Sequence, residues 1–459
     1  MFRERCGRVK SAKRRALILL FWLLIWHILA VFAGNSLLLV TPLEALLTLV
    51  RLSVTPQFWE AAGGSMLRIA GGFFLGFFTG LLLAAAAAGH TLLEELLSPV
   101  MNLFKTVPVA SLTVLLLIWW SSEMLAVSIC FLVVTPEIYL HTLEGVRSTD
   151  RKLPEMAKVF RMPFWNRFFY IYRPSLKPFL YGSMKLSLGM SWKSGVAAEI
   201  IGTPQGSIGE RLYMAKIYLD TAELFAWTAA VILLSLLFEK AVMKIAACFF
   251  AWEPSCRSAL TGAKKKRISR RAAVRNEETE EFPNGTSADG ISCTNLTKSY
   301  GGKTVISDFT ASYPAGQIHY LRSPSGSGKT TFLRLLCGLE EPDAGRIERR
   351  GCISMMFQED RLCEDYSALL NVEMAVGSNS GAKEALLMLL EESAIERPCR
   401  ELSGGMKRRA ALVRAMEAES DIVLLDEPFT GMDDVTRERA RQYIEDRRGN
   451  RTVIVATHI

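Results

Sequence analysis

Apolar residues crowd into one half of this chain, and that crowding restricts its possible folds more than any other feature. Six apolar stretches fall at about Ala16–Ala33, Leu67–Ala88, Val100–Trp120, Leu125–Leu140, Phe179–Ile201 and Phe225–Phe250. Most of them approach the ~20 residues that carry a helix across a bilayer, although Leu125–Leu140 is short and its ends stay open. Half of the 459 residues are apolar and the mean hydropathy is +0.21, a balance foreign to a purely soluble protein. Length alone suggests two or three domains. The expected first domain is an α-helical transmembrane bundle of about six spans over residues 1–253.

The charge pattern supports that count. Residues 1–15 carry seven basic residues and one acid, ahead of the first apolar run. A cleavable signal is the alternative, with small residues at Ala30–Gly34, but the apolar core is long and more spans follow. With the N-terminus inside, six spans leave residues 144–177, with eight Lys or Arg, inside, and residues 202–223, with only Arg211 and Lys216, outside. Both termini are then cytoplasmic, in the cytoplasmic (inner) membrane. The net charge of +8 comes from clusters at Arg3–Arg15 and Lys264–Arg275 that abut apolar runs. They read as membrane flanks in contact with anionic lipid, with no nucleic-acid partner expected. Nine cysteines form no CxxC or Cys/His metal spacing and read as free thiols, and His27 as a packed or interfacial histidine. Gly71, Gly72, Gly76 and Gly80 are spaced for close helix approach. Glu199 lies in or beside a span; it is either functional or satisfied by Lys193 or interfacial backbone.

Composition changes abruptly from Pro254 to Gly290, where KKKRISRRAAVR gives way to NEETEE and FPNGTSADG. Such a segment is a charged flexible linker. Strand-like alternation resumes at Ile291, opening an α/β domain over residues 291–459. Its centre is Arg322–Thr331, RSPSGSGKTT. Ser325, Gly326, Ser327 and Gly328 can turn the backbone so that N–H groups point at phosphate oxygens; Lys329 adds charge, Thr330 a hydroxyl for Mg²⁺, and the helix from about Thr331 a dipole. The run resembles a phosphate-binding loop, with Ser323 in place of the first Gly.

Further matches follow in order, each weak by itself. Together Tyr300, Gln358 in MMFQED, LSGGM at Leu402–Met406, IVLLDE at Ile422–Glu427, FTGMD at Phe429–Asp433 and His458 resemble an ABC ATPase. That resemblance implies stacking of adenine on Tyr300, and Mg²⁺ held by Thr330, Gln358 and Asp426. It also implies that Glu427 activates water, with Gln358 contacting that water and His458 sensing the γ-phosphate. Ser403, Gly404 and Gly405 would bind the nucleotide of the opposite subunit. Only 73 residues separate Lys329 from Ser403, which implies a trimmed helical subdomain, and the end one residue after His458 suggests a C-terminal truncation.

In the membrane half, the basic and aromatic segment Glu155–Pro178 resembles the coupling loop of type I ABC importer permeases. Glu155, Ala157, Pro174 and Pro178 fit its register, whereas Met156, Arg161 and Arg173 depart from it. An Arg in place of the family's Gly is expected to alter the turn. Phe168 and Phe169, within Phe164–Tyr172, are expected to dock in an ATPase groove beside Gln358. An amphipathic helix on the membrane surface is the plainer alternative. SWK at Ser191–Lys193, AEI at Ala198–Ile200 and GSIG at Gly206–Gly209 resemble the nitrate, sulfonate and taurine branch. The combined resemblance implies ATP-driven uptake of a small solute by a fused permease–ATPase half-transporter. Its expected partners are a second copy or a related half-transporter, and a separate extracytoplasmic solute-binding protein. An exporter half-transporter and an inactive truncated remnant are the alternatives.

Overall fold

The computed structural model describes residues 2–35, 37–251, 289–324, 326–377 and 381–457. The chain forms two compact units, residues 1–148 with 175–252 and residues 149–174 with 253–459. Sequence order places residues 149–174 in the membrane domain; in the structure they fold with the C-terminal unit, where several of their apolar side chains are buried. The charged linker lies outside the described residues, apart from Asp289 and Gly290, which begin a strand.

The first unit is helical. Pro56–Gly89, Ser122–Arg147 and Thr221–Ala251 are each long and apolar enough to cross a bilayer. The helix Phe2–Ala33 contains the apolar segment Leu17–Ala33, and the fifth expected span lies within Arg173–Gly202. The expected span Val100–Trp120 is different, because helices Thr91–Thr106 and Val109–Leu116 meet at 101°. Val107 precedes Pro108, which disfavours helical backbone at Val107 and removes a donor, so the chain turns there.

Helices Pro56–Gly89 and Ser122–Arg147 meet along a glycine seam. A Cβ on Gly72 would sit 2.4 Å from the Val127 carbonyl oxygen, and one on Gly80 would sit 2.7 Å from that of Thr135. Small residues here let two backbones touch, the main source of helix association where lipid offers no hydrophobic drive. Gly71 faces open space and takes no part in the seam. Glu199, near the end of Arg173–Gly202, is satisfied by one backbone N–H, of the kind expected, and by two side chains in place of Lys193. Ser65 Oγ donates to its Oε2 at 2.6 Å, Arg68 to its Oε1 at 3.3 Å and the Gly209 N–H to Oε2 at 3.3 Å. Lys193 is exposed. The Ile208 N–H donates to Ser65 Oγ at 2.9 Å, so the same knot anchors the start of helix Ile208–Ile217. A Cβ on Gly209 would lie 2.3 Å from that of Glu199, which explains a glycine at this place in GSIG.

The second unit contains two sheets. Strands β1 (Asp289–Tyr300), β2 (Lys303–Pro314) and β4 (Ala344–Arg349) form an antiparallel sheet in the order β2-β1-β4. Strands β3 (Ile318–Arg322), β5 (Ile353–Met356), β6 (Ile422–Asp426) and β7 (Thr452–Thr457) form a parallel sheet, β3-β7-β6-β5. All five residues of β6 are buried, as a central parallel strand requires. Register pairs Arg322 with Thr457 and Asp426 with Ala456, so the carboxyl ends of β3, β6 and β7 open on one edge. Ligands of open α/β sheets bind at that edge.

Candidate active site

The phosphate loop leaves β3 at this edge and enters helix Lys329–Leu336. Gly326 and Gly328 take φ of +79° and +90°, the left-handed region that glycine enters without strain. Ser323 closes the loop in place of a glycine, its Oγ lying 2.6 Å from Ser327 Oγ. Its carbonyl oxygen and that of Pro324 accept hydrogen bonds from Lys329 Nζ. Thr330 and Thr331 open the helix behind the loop, half-buried. Ser325 lies outside the described residues. Tyr300 ends β1 and is 45% exposed, with Lys298 Nζ 5.6 Å from its ring centroid.

Asp426 ends β6 beside this loop. Its two carboxylate oxygens are buried without a hydrogen bond, and the Thr330 hydroxyl lies beside them, short of a well-formed bond. Burial holds the Asp426 carboxyl above its usual range, and Glu427 pushes the same way; Thr330, Arg408 and Lys329 pull it down. An orphaned carboxylate next to a hydroxyl is a set of hard oxygen donors, the chemistry that suits Mg²⁺. Glu427 follows with φ of +49°, a strained conformation for a residue with a Cβ. Its N–H donates to the Ala456 carbonyl at 2.9 Å, and Thr430 Oγ1 donates to its Oε2 at 3.2 Å. Gln358 follows β5 with its side chain exposed. His458, next after β7, lies outside the described residues.

Arg408 joins these pieces and carries no signal in the sequence reading. It is buried on helix Gly404–Glu417 and donates to the carbonyl oxygens of Phe357 at 2.8 Å, Gln358 at 2.7 Å and Glu427 at 2.7 Å, and also to that of Asp426. One guanidinium thus sets the backbone on both sides of the reaction edge. Its only trace in the sequence is a cation leading into the apolar run Ala410–Val413. Ser403 caps the same helix, accepting from the Met406 N–H at 3.3 Å, so Met in place of Gln leaves the cap intact. Ser403 and Gly404 are exposed, and the helix presents its N-terminus to solvent, with Gly405 half-buried beside them.

The docked segment is built from helices Lys152–Val159 and Phe164–Arg167 and the π-turn Phe168–Tyr172. Met156, Ala157, Val159, Phe160, Met162, Tyr170 and Ile171 join one apolar core with Met355, Phe357, Cys363 and Tyr366 of the ATPase half. Of the expected stretch Phe164–Tyr172, only its end, Tyr170 and Ile171, lies in this core, with Phe169 against it. Phe164 and Trp165 are 65% and 60% exposed, the half-buried Phe168 packs on its aromatic neighbours, and Phe169 sits at the core's edge. Their helical phase points them away, whereas Met156, Ala157, Val159 and Phe160 share the buried side. Tyr366 OH donates to the Phe169 carbonyl at 3.4 Å, Arg173 lies over the Phe169 ring at 5.3 Å, and Pro174 is half-buried. Phe160 lies under the buried Arg414 guanidinium, 5.1 Å from the ring centroid.

Glu155 sits between two arginines. Arg334 reaches both carboxylate oxygens, at 3.1 and 3.3 Å, and Arg361 donates to one at 2.7 Å. Burial raises the Glu155 carboxyl, but these bonds and charges outweigh it and hold it below the usual range. Arg161 corrects the expectation of an altered turn. The Arg161 N–H bonds Lys158 O at 3.1 Å and the Met162 N–H bonds Ala157 O at 2.9 Å, the pair of bonds that a glycine normally makes after a helix. Arg161 makes it at φ +50°.

Residues 73–246 match the profile described as "Binding-protein-dependent transport system inner membrane component" and residues 306–430 the one described as "ABC transporter". Over 174 residues the chain is 38% identical to the "Aliphatic sulfonates import ATP-binding protein SsuB 1" of Nocardia farcinica, covering 37% of this chain and 71% of that protein. It is 35% identical over 175 residues to "SsuB 2" of Burkholderia cenocepacia, covering 35% of this chain and 65% of that one. Phosphate loop, buried Asp426, capped Ser403 and a helical half with bilayer-length spans stand together on one polypeptide. The chain belongs to the ABC transporter family, as an importer-type membrane permease fused to its ATP-hydrolysing cassette.

Proposed function

We propose that this chain takes up a small anionic solute, an aliphatic sulfonate or a close analogue, across the cytoplasmic membrane. Two copies would form the pump and a separate solute-binding protein would load it. The observation that carries the import reading is the docked segment, with Glu155 gripped by Arg334 and Arg361 and Phe160 beneath Arg414. The names of the relatives support the solute class.

In this reading Ser325, Gly326, Ser327 and Gly328 would direct N–H groups at the β- and γ-phosphates, with Lys329 as the local cation. Thr330, Asp426 and Gln358 would hold Mg²⁺, which when bound neutralises charge on the transferring phosphoryl group. Glu427, held at its backbone by Arg408, orients the attacking water and takes its proton; His458 completes the γ-phosphate site. The exposed N-terminus at Ser403–Gly405 meets the nucleotide held by a second copy. Closure of the paired cassettes moves the docked segment, and through it the membrane helices. Both termini and the cassettes would face the cytoplasm.

The test is uptake of a labelled alkanesulfonate by proteoliposomes holding the full chain, with ATP inside and a sulfonate-binding protein outside. Accumulation that requires both, and ATP hydrolysis stimulated by the loaded binding protein, is the expected result. ATP-driven efflux, or hydrolysis indifferent to that protein, would overturn it.

A further inference from the structure

The docked segment and the exposed Tyr300 ring are joined by a continuous line of side chains. Arg334 lies on the helix behind the phosphate loop and uses its two terminal nitrogens for Glu155. Its remaining Nε–H donates to Glu340 Oε1. The other oxygen of Glu340 accepts from Tyr300 OH. The backbone is pinned at both ends of this line. The Leu339 and Glu340 N–H groups donate to the Arg334 carbonyl oxygen at 3.0 and 3.4 Å. Next to Tyr300, the Ser299 N–H donates to Asp343 at 2.7 Å and Lys298 Nζ donates to the same carboxylate at 2.8 Å. With the backbone fixed, the direction of the half-exposed Tyr300 ring depends on what its hydroxyl holds.

We propose that Arg334 and Glu340 are positioning residues linking the permease segment to the adenine platform, so that seating Glu155 fixes the Tyr300 ring and tightens ATP binding. The inference rests on the reading of Tyr300 as the platform for adenine. Arg334 has five N–H donors in a rigid plane, and three of them serve Glu155 and Glu340, so the two carboxylates share one guanidinium. When Glu155 withdraws, Arg334 loses two of its three bonds and Glu340 loses a fixed partner. Tyr300 OH then bonds to a carboxylate that swings. Burial raises the Glu340 carboxyl, Lys298 lowers it and Glu155 raises it, so the two acids feel one another across Arg334. Linkage is reciprocal, so bound ATP strengthens the seating of the segment by the same factor.

The experiment measures Kd for ATP and for inorganic tripolyphosphate on the full chain in nanodiscs, with chelator present to stop turnover. The variants are Glu155→Gln, Tyr300→Phe, the double variant and Tyr300→Ala, with Glu340→Gln as a second break in the line. Glu155→Gln and Tyr300→Phe should each weaken ATP binding about fivefold, the low end of site–site couplings, and leave tripolyphosphate within about twofold. The double variant should be no weaker than either single one, and Glu340→Gln should match them. Additive losses in the double variant, or an equal loss on tripolyphosphate, would overturn the link while Tyr300→Ala still weakens ATP. An unchanged ATP affinity in Tyr300→Ala would instead remove the platform reading, and the link with it.

Discussion

The two halves of this chain handle buried charge in opposite ways. In the membrane half, Glu199 is closed off: Ser65, Arg68 and the Gly209 N–H satisfy it, and the knot holds helices together. In the cassette, Asp426 is equally buried but both its oxygens lack a hydrogen bond, while Arg408 beside it donates to backbone carbonyls and to the Asp360 carboxylate. A satisfied buried charge is a structural pin. A buried carboxylate without a hydrogen bond, at the carboxyl edge of a parallel sheet, is a candidate ligand site. The difference is expected to separate residues whose loss destabilises the protein from residues whose loss stops it.

The largest expected effect lies on the ligand side of that comparison. Glu427→Gln should bind ATP, accumulate as closed pairs and lose about 10²-fold or more in hydrolysis, with thermal stability little changed. A purified variant with an unchanged turnover rate would remove Glu427 from the chemistry. On the structural side, Glu199→Ala should leave Arg68 partnered only by the Gln205 carbonyl and destabilise the membrane half by about 3 kcal/mol, since breaking a buried pair exposes the desolvation of its survivor. Thermal unfolding in detergent reads it. A variant with the parental midpoint and lost uptake would move Glu199 to the functional side and blur the contrast.

The docked segment lies between these extremes. Phe160→Ala removes a buried ring under Arg414 and should weaken docking by about 3 kcal/mol, abolishing stimulation of hydrolysis by a loaded binding protein while basal hydrolysis persists. Phe164→Ala, at an exposed ring, should change neither rate. Equal loss in both variants would restore the aromatic stretch as the centre of the interface. The smallest effect is at Arg161. Arg161→Gly should alter segment stability by less than about 0.5 kcal/mol, because relief at φ +50° is offset by a freer unfolded chain. Arg161→Val should cost about 1–2 kcal/mol, since a β-branched residue fits that backbone worst.

How far each half could be read from sequence follows from the same contrast. The phosphate loop, LSGGM and IVLLDE are local: loop, cap and strand come from neighbouring residues, so motif and geometry coincide at Lys329, Ser403 and Asp426. Hydropathy likewise indicates bilayer-length helices, because it sums over a window. It does not register the bend at Val107–Pro108, where one residue's backbone preference interrupts an apolar run. Long-range partners are also silent. Arg68 lies 131 residues from Glu199, Arg334 lies 179 from Glu155, and Arg408 acts largely through carbonyl oxygens, which every residue possesses. The phase of the docked segment was recoverable in principle, since Met156, Ala157, Val159 and Phe160 follow helical spacing. The conspicuous rings at Phe164 and Trp165 draw attention from it.

A unit assembled from residues 149–174 and 253–459 of one polypeptide has a consequence for how firmly its parts must adhere. When segment and cassette belong to separate chains, their contact must hold at the dilute concentrations of a cell. Here each meets the other at a local concentration set by the chain that connects them, which separate subunits do not share. An intrinsic affinity far too feeble to assemble separate subunits therefore suffices. The contact can yield in every cycle without losing its partner, and permease and cassette are made in a one-to-one ratio by translation itself.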